Sequence, residues 1–498
     1  MTDYAHTHLR RIVIVGGGTA GWLTAAMLGA HLPHCELEVV EAEDIGIVGV
    51  GESTIPPFVR LLQKLGIDEQ EFVARTGGCY KLGILFDGWR TGHDRYFHPF
   101  GVIGRRIANR DFYQCWLKAS QSGSVPPLMA FSPCAELARA QRFYPPSADG
   151  GAPTGASYAL HMDAGLAVDY LKAYAQKRGV RHRQGTVLGA TRRDNGHIEA
   201  LQLESGARVE GDFYIDCTGF RASLAKGIMG TAFEDWGQWL PCDRAISVKT
   251  ETADALVPFT RATARKAGWS WRIPLRTSTG HGYVYSSRHC SDAQAKSTLM
   301  ANLDARRTSE PKLMAFRPGH RTEFWTHNCL AVGLSSGFLE PLESTSIHLI
   351  ARGVEFFLRY LPSVHCEEAL AREYNRRMTR DFEEIRDFLM LHYTLSERRD
   401  TPFWRDCSVQ PLPESLRERV ALFRAGGGLR EGVDDLFRAT SWQAVFEGMG
   451  VRPARCHPQI DALDSQTLAH ELQLTRRAVQ SLVNGLPAHD AVLPDVMG

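Results

Sequence analysis

The sharpest hydrophobic patterning lies near the start of the chain. "RIVIV" (Arg11 to Val15) reads as a short strand of the fully buried kind, and "WLTAAMLGAHL" as an apolar helix. "ELEVVEAE" reads as a second strand, and the glycine turn "GGGTAG" joins the first strand to the helix. Together they predict one βαβ unit with parallel strands. Farther on, "FYPPSADGGAPTGAS" predicts a loop, and "HMDAGLAVDYLKAYAQKRGV" a capped amphipathic helix ending at Gly179. Short strand patterns follow in "TVLGATR", "IEALQLE" and "GDFYIDCTGF".

Two segments carry a strict period of two. In "CYKLGILF", Tyr80, Leu82, Ile84 and Phe86 share one strand face, leaving Lys81 opposite with Gly83 and Leu85. In "GWSWRIP", Trp269, Trp271 and Ile273 point one way and Ser270 and Arg272 the other. From Ser344 the period changes. Ile347, Ile350, Val354, Phe357 and Leu361 line one helical face, stopped by Pro362. Helices are also expected around "EEIRDFLMLHY" and at the end, where Leu468, Leu472, Val479 and Leu482 align, with "RAGGGLREG" a loop between helical stretches. The expected architecture is an α/β body with an inserted, mostly-β region over residues 1–350, and a helical region over 351–498.

Composition narrows the class. A 498-residue chain with net charge +1 and no long block of one sign gives no footprint for nucleic acid or an anionic membrane. Its eleven cysteines are scattered without a CxxC pair, which speaks against a disulfide framework and a zinc site and suits a reducing compartment. "MTDYAHTHLRR" lacks the apolar core of a signal peptide, and no apolar run has the length of a membrane span. A soluble cytoplasmic protein is expected.

Gly16, Gly18 and Gly21 form a GxGxxG between strand and helix, where backbone can approach a pyrophosphate at the positive helix end. Glu41 ends the next strand, at the spacing where an acid binds a ribose hydroxyl. These features point to a dinucleotide. "DFYIDCTGF", ending Asp216-Cys217-Thr218-Gly219, resembles the second FAD-contact segment of flavoproteins with the glutathione-reductase-type, Rossmann-like fold. No second GxGxxG follows, so a separate nicotinamide domain is not expected.

"GVGESTIPPF", Lys81 within "CYKLGILFDGW", "WSWRIP", and "FRPGHRTEFWTHNCLAVGLSSGFLEPLESTSI" occur in this order. With "RRDTPFWRDC" and "SWQAVFEGMGVRPARCHP", they resemble the flavin-dependent halogenases of the tryptophan-halogenase family over almost the whole chain. The resemblance implies that FADH2, oxygen and chloride or bromide give a hypohalous acid, which is relayed to an aromatic, indole-type substrate. Lys81 matches the catalytic lysine and Glu343 the catalytic glutamate. Thr19, Ala20, Gly51, Glu52, Ser53, Val187, Leu334 and Ile347 sit where members contact FAD, Thr345 and Ser346 where they bind halide.

His98 and Phe100 sit where relatives sandwich an indole, and Trp269 and Trp271 match residues that wall the flavin from the substrate. The resemblance also implies a separate NAD(P)H-dependent flavin reductase and admits a homodimer; with the cysteines scattered, no metal site is expected. A flavin monooxygenase and a flavin-binding protein without catalysis are the alternatives. The presence of both Lys81 and Glu343 favours the halogenase.

Overall fold

The computed structural model describes residues 8–43, 51–123, 125–144, 155–252 and 256–496. Gly49 and Val50 of "GVGESTIPPF", residues 145–154 of the expected loop, and residues 1–7 lie outside them.

The predicted βαβ unit forms as Arg11–Val15, Thr19–His31 and Glu36–Glu41. Its strands are parallel neighbours in a six-stranded sheet. Across that sheet the order is Trp325–Thr326, Cys329–Ala331, Phe213–Asp216, Arg11–Val15, Glu36–Glu41 and Arg181–Gln184. Arg11–Val15 is therefore where the strand order reverses, with Glu36–Glu41 on one side and the much later Phe213–Asp216 on the other. Ligands of open parallel sheets settle outside the carboxyl ends of the strands at this point. The helix Thr19–His31 is buried from Gly21 to Gly29 because the helices Ala164–Gln176 and Ser346–Arg359 cover what the sheet leaves open.

The inserted region is built from two further sheets. A seven-stranded one runs Lys312–Ala315, Arg244–Thr250, Thr279–Tyr285, Gly268–Pro274, Thr260–Arg265, Gly83–Asp87 and Arg95–Pro99. A small one joins Glu52–Ser53, Ala159–Met162 and Cys79–Lys81. The segment "CYKLGILF" is thus not one strand. It changes sheets at Leu82, whose amide donates to Pro258 O while its carbonyl accepts from Phe100. The alternation survives the break, and Tyr80, Leu82, Ile84 and Phe86 are all fully buried.

Trp269 and Trp271 do share a face of Gly268–Pro274, with ring centres 6.1 Å apart. Trp271 lies across its register partner Gly282, where an added Cβ would come within 2.1 Å of the indole. Ser270 and Arg272 line a polar cleft on the sheet.

The expected helices form at Ser346–Arg359, Glu368–Thr394 and Ser465–Gly485. In the last, the buried stripe is Leu468, Leu472, Thr475, Val479 and Val483, so Val483 rather than Leu482 closes it. One hydrophobic core runs from Leu9 to Val483, and the Ser346–Arg359 helix passes through residues 350 and 351 without interruption. No helix of the described residues is long and apolar enough to cross a membrane. All eleven cysteines are free thiols.

Candidate active site

The glycine loop leaves the carboxyl end of the central strand. Gly16 has φ +114°, and a Cβ there would meet Cys217 O at 2.3 Å. A Cβ on Gly21 would meet Gly16 O at 1.8 Å, so helix and loop touch through bare backbone. Gly18, at the N-cap of the helix, has nothing within 4 Å. Glu41 turns its carboxylate over the loop, with His182 Nε2 at 2.9 Å and Lys172 Nζ at 3.6 Å.

Ala20 lies against the turn that carries Leu334: a Cβ on Gly333 would come within 2.7 Å of its methyl group. Ile347 is buried at the start of the helix packed on Thr19–His31. Val187 joins a separate small core with Val13, Val15 and Val40. An open helix end, glycines at close backbone approaches and an acid across the loop fit the pyrophosphate and ribose of a dinucleotide such as FAD. Asp216 serves the fold instead. Its carboxylate accepts from the amides of Thr218, Leu224 and Ala225 and from the Thr218 hydroxyl, organising the turn after its strand.

The second cluster grows from the small sheet. Gly51 lies against Ile273 and Leu275, and Glu52 and Ser53 pair with Met162 and His161. Burial, with Asp163 nearby, pushes the Glu52 carboxyl up to about 7. Lys81 stands opposite Ala159 in register. Lys81 is fully buried. Its Nζ donates to Thr54 O and Ser344 Oγ, each at 3.0 Å, and sits 5.1 Å from the centre of the Phe100 ring. Burial lowers its pKa to about 7, against the opposing pull of Glu343.

Glu343 ends a 3₁₀ turn, Pro341–Glu343. Ser344 then takes a left-handed conformation, φ +59°, before the helix begins at Ser346. A non-glycine residue there is strained by about 1–3 kcal/mol, and such strain gathers at functional sites. Here it turns the Ser344 hydroxyl onto Lys81. Thr345, the N-cap, gives the helix no side-chain cap.

The Glu343 carboxylate is 1% exposed, lying 2.9 Å from His98 Nδ1 and 3.1 Å from His392 Nε2. Burial alone would raise its pKa, but the charge of His98, its hydrogen bond and the close approach of His392 outweigh it and hold the group at about 2. His392 donates from Nδ1 to Phe388 O, which aims Nε2 at Glu343, and its ring is walled by Phe86, Tyr96 and Trp89. The Ala439–Gly448 helix of the C-terminal region packs on the strand that bears His98.

Three residues before Glu343 lies a second buried carboxylate. Glu340 Oε2 accepts from Trp269 Nε1 at 2.7 Å and from the Tyr393 hydroxyl at 2.6 Å. Burial dominates there, and the group is pushed up to about 7. The sequence reading passed over Glu340, Ser344, Thr54, His392 and Tyr393. Glu340 and Ser344 lie within the quoted segment that carries Glu343, and Thr54 within "GVGESTIPPF", whereas His392 and Tyr393 lie in "EEIRDFLMLHY", which read only as a helix. Among the described residues no group of three or more metal-ligating side chains is placed to hold an ion.

The structure therefore gathers Ser53, Lys81, His98, Phe100 and Glu343 in one buried centre, and Gly16 to Gly21, Glu41, Leu334 and Ile347 around the glycine loop. The turn bearing Thr345 and Ser346 joins the two, and Trp269 is tied to it through Glu340.

The family model for tryptophan halogenase matches residues 11–465. Tryptophan 7-halogenase RebH of Lentzea aerocolonigenes is 32% identical over 495 residues, covering 92% of each chain. BrvH, a flavin-dependent halogenase from Brevundimonas sp. BAL3, is 41% identical, with a TM-score of 0.93 over 98% of this chain and 99% of its own. Xcc4156, a flavin-dependent halogenase from Xanthomonas campestris, is 40% identical, with a TM-score of 0.94 and the same coverage.

Proposed function

The chain belongs to the tryptophan halogenase family, and from that premise we propose that Lys81 and Glu343 are the catalytic pair by which it halogenates an indole-type ring. It is an FADH2-dependent aromatic halogenase that consumes oxygen and halide. The bound flavin supplies, with oxygen and chloride or bromide, the hypohalous acid. The glycine loop, Thr19, Glu41, Gly51, Glu52, Val187, Leu334 and Ile347 hold FAD, and the uncapped helix start at Thr345 and Ser346 takes the halide.

Lys81 captures the hypohalous acid. Two of its ammonium hydrogens are committed to Thr54 O and Ser344 Oγ, so one remains to donate to the acid's oxygen. With its pKa at about 7, a sizeable fraction is also free amine near neutrality, able to take the halogen as a haloamine. Glu343 stays ionised throughout the working range, stabilises the cationic ring that halogen addition creates, and accepts its proton. Phe100 and His98 offer the flat faces between which the ring lies, and His98 also orients Glu343 through Nδ1. Trp269, held by Glu340, and Trp271 wall the flavin side.

The observation that carries this reading is a fully buried lysine with, among the described residues, no carboxylate hydrogen-bonded to it, in one centre with a buried, ionised glutamate. Lysines are almost never buried so completely without a specific reason. We further assign a separate NAD(P)H-dependent reductase as the source of FADH2 and a cytoplasmic setting suited to eleven free thiols. The test combines FAD, a reductase, NADH and each halide with indole or L-tryptophan, read by mass spectrometry. Lys81→Ala is expected to abolish halogenated product while FAD affinity is retained. Regioselective product from that variant, or hydroxylated product from the parent, overturns the assignment.

A further inference from the structure

Behind Lys81 runs a line of buried hydrogen bonds that the halogenation chemistry leaves unused. Lys81 Nζ donates to Ser344 Oγ, and Ser344 donates to Ser53 Oγ at 3.1 Å. Ser53 Oγ lies 3.0 Å from Thr260 Oγ1, which lies 2.8 Å from His161 Nε2. His161 Nδ1 is 3.4 Å from Cys79 Sγ, and Cys79 donates to Pro274 O. Every member is less than 9% exposed, so these groups rely on hydrogen-bond partners inside the protein. Register produces the line: Ser53, His161 and Cys79 form one row across the small sheet, and Lys81 follows Cys79 by two residues on the same face.

A hydroxyl has one proton to give, and that fixes the direction of the whole line. Cys79 spends its proton on Pro274 O, so His161 turns Nδ1–H to Cys79, Thr260 donates to Nε2 and Ser53 to Thr260, in the same sense as Ser344 donates to Ser53. His161 Nε2 is then an acceptor, the ring is neutral with its proton on Nδ1, and that proton faces Cys79. Burial keeps this ring uncharged, lowering its pKa well below the usual histidine value. The last carbonyl, Pro274 O, can only accept and closes the line.

We propose that Thr260 and His161 are positioning residues whose one-way hydrogen-bond line presents a lone pair of Ser344, never its proton, to Lys81 and so holds the ammonium form. A free amine could keep both donations, to Thr54 O and Ser344 Oγ, but without the positive charge that strengthens them, and the His161 tautomer leaves it no hydroxyl proton for its lone pair. The line therefore works against burial, which favours the amine. The other ionisable groups facing this centre are Glu343, with His98 and His392 on it, and around His161 also Cys79, His489 and Arg272. The geometry stands without any assumption about the reaction; its use in halogen capture rests on the role proposed for Lys81.

The test reads the lysine itself. Lysine-labelled protein is titrated by NMR, with the Lys81 signal identified by its loss in Lys81→Met. Thr260→Val, which keeps the shape and removes the hydroxyl, is expected to lower the Lys81 pKa by about one unit. His161→Phe removes the acceptor from the far side and is expected to do the same. Thr260→Ser restores a hydroxyl and is expected to titrate like the parent. Unchanged titration in Thr260→Val and His161→Phe, or a Thr260→Ser shift equal to that of Thr260→Val, overturns the proposal. The pH profile of halogenation separates the two readings. If the lysine shifts in Thr260→Val and the alkaline limb does not follow, the line stands and the role of Lys81 in halogen capture falls.

Discussion

Glu340 and Glu343 lie three residues apart on one turn, are each 1% exposed, and are partnered by neighbouring residues of one helix, Tyr393 and His392. Their proton affinities nevertheless diverge, to about 7 and about 2. Burial raises both. What separates them is the chemistry of the donors. Glu340 meets an indole N–H and a phenol, both neutral, whereas Glu343 meets two imidazoles that can carry charge. Hydrogen bonds from neutral donors lower the Glu340 carboxyl but do not repay its desolvation, whereas imidazoles add the attraction of a positive charge to their contacts with Glu343. One pocket therefore keeps an ion near Lys81, and the other keeps a group that holds its proton to near neutrality and anchors a tryptophan.

The comparison breaks most visibly in activity. Glu343→Gln removes the only one of the two carboxylates that faces Lys81, and halogenation is expected to fall by about a thousandfold, within the range that acid–base residues supply. FAD affinity, measured by fluorescence, is expected to be unchanged. A loss below tenfold would mean that ring deprotonation does not depend on this carboxylate.

A second substitution pushes Glu343 toward the condition of Glu340. His392→Phe keeps a flat ring among Phe86, Tyr96 and Trp89 but leaves the carboxylate with His98 alone. Removing one partner of a buried ion pair costs about 3 kcal/mol. The folded-state pKa of Glu343 is depressed, so its stabilising contribution is present above the unfolded value of 4.5 and lost as pH falls toward about 2. The variant should therefore be destabilised in urea melts at pH 7.5 and less so near pH 4. An equal loss at both pH values would assign the cost to packing and not to charge.

How much of this was legible differs by region. The glycine loop, its strand, its helix and Glu41 are contiguous, and each expresses a local rule, so sequence alone located them. The Lys81 centre is drawn from segments near residues 53, 81, 98, 161, 260, 343 and 392, which only tertiary packing unites. Family resemblance supplied Lys81 and Glu343, but nothing local marks His161 or His392 as polar partners within apolar surroundings. Periodicity also has a limit: it placed Lys81 on the face opposite Tyr80 and Leu82 yet could not tell that "CYK" and "GILFD" belong to different sheets. Alternation reports a face and carries no information about which strand lies alongside.

The smallest effect concerns Glu340. A carboxyl whose folded pKa is raised keeps a proton that the unfolded chain gives up, so its stabilising contribution is complete below 4.5 and is lost as pH rises through about 7. Glu340→Gln is nearly isosteric, and its amide oxygen can still accept from Trp269 and Tyr393. It does not titrate. Relative to the parent, the variant should gain stability as pH rises from 5 to 8, by about 1–2 kcal/mol in urea melts, less than the full linkage value because buried sites relax and admit water. Halogenation should change only a few-fold, since Glu340 reaches the chemistry through Trp269 alone. A stability difference that stays flat between pH 5 and 8 would show that Glu340 titrates as an ordinary carboxyl. The contrast between the two pockets would then have to come from Glu343 and its histidines by themselves.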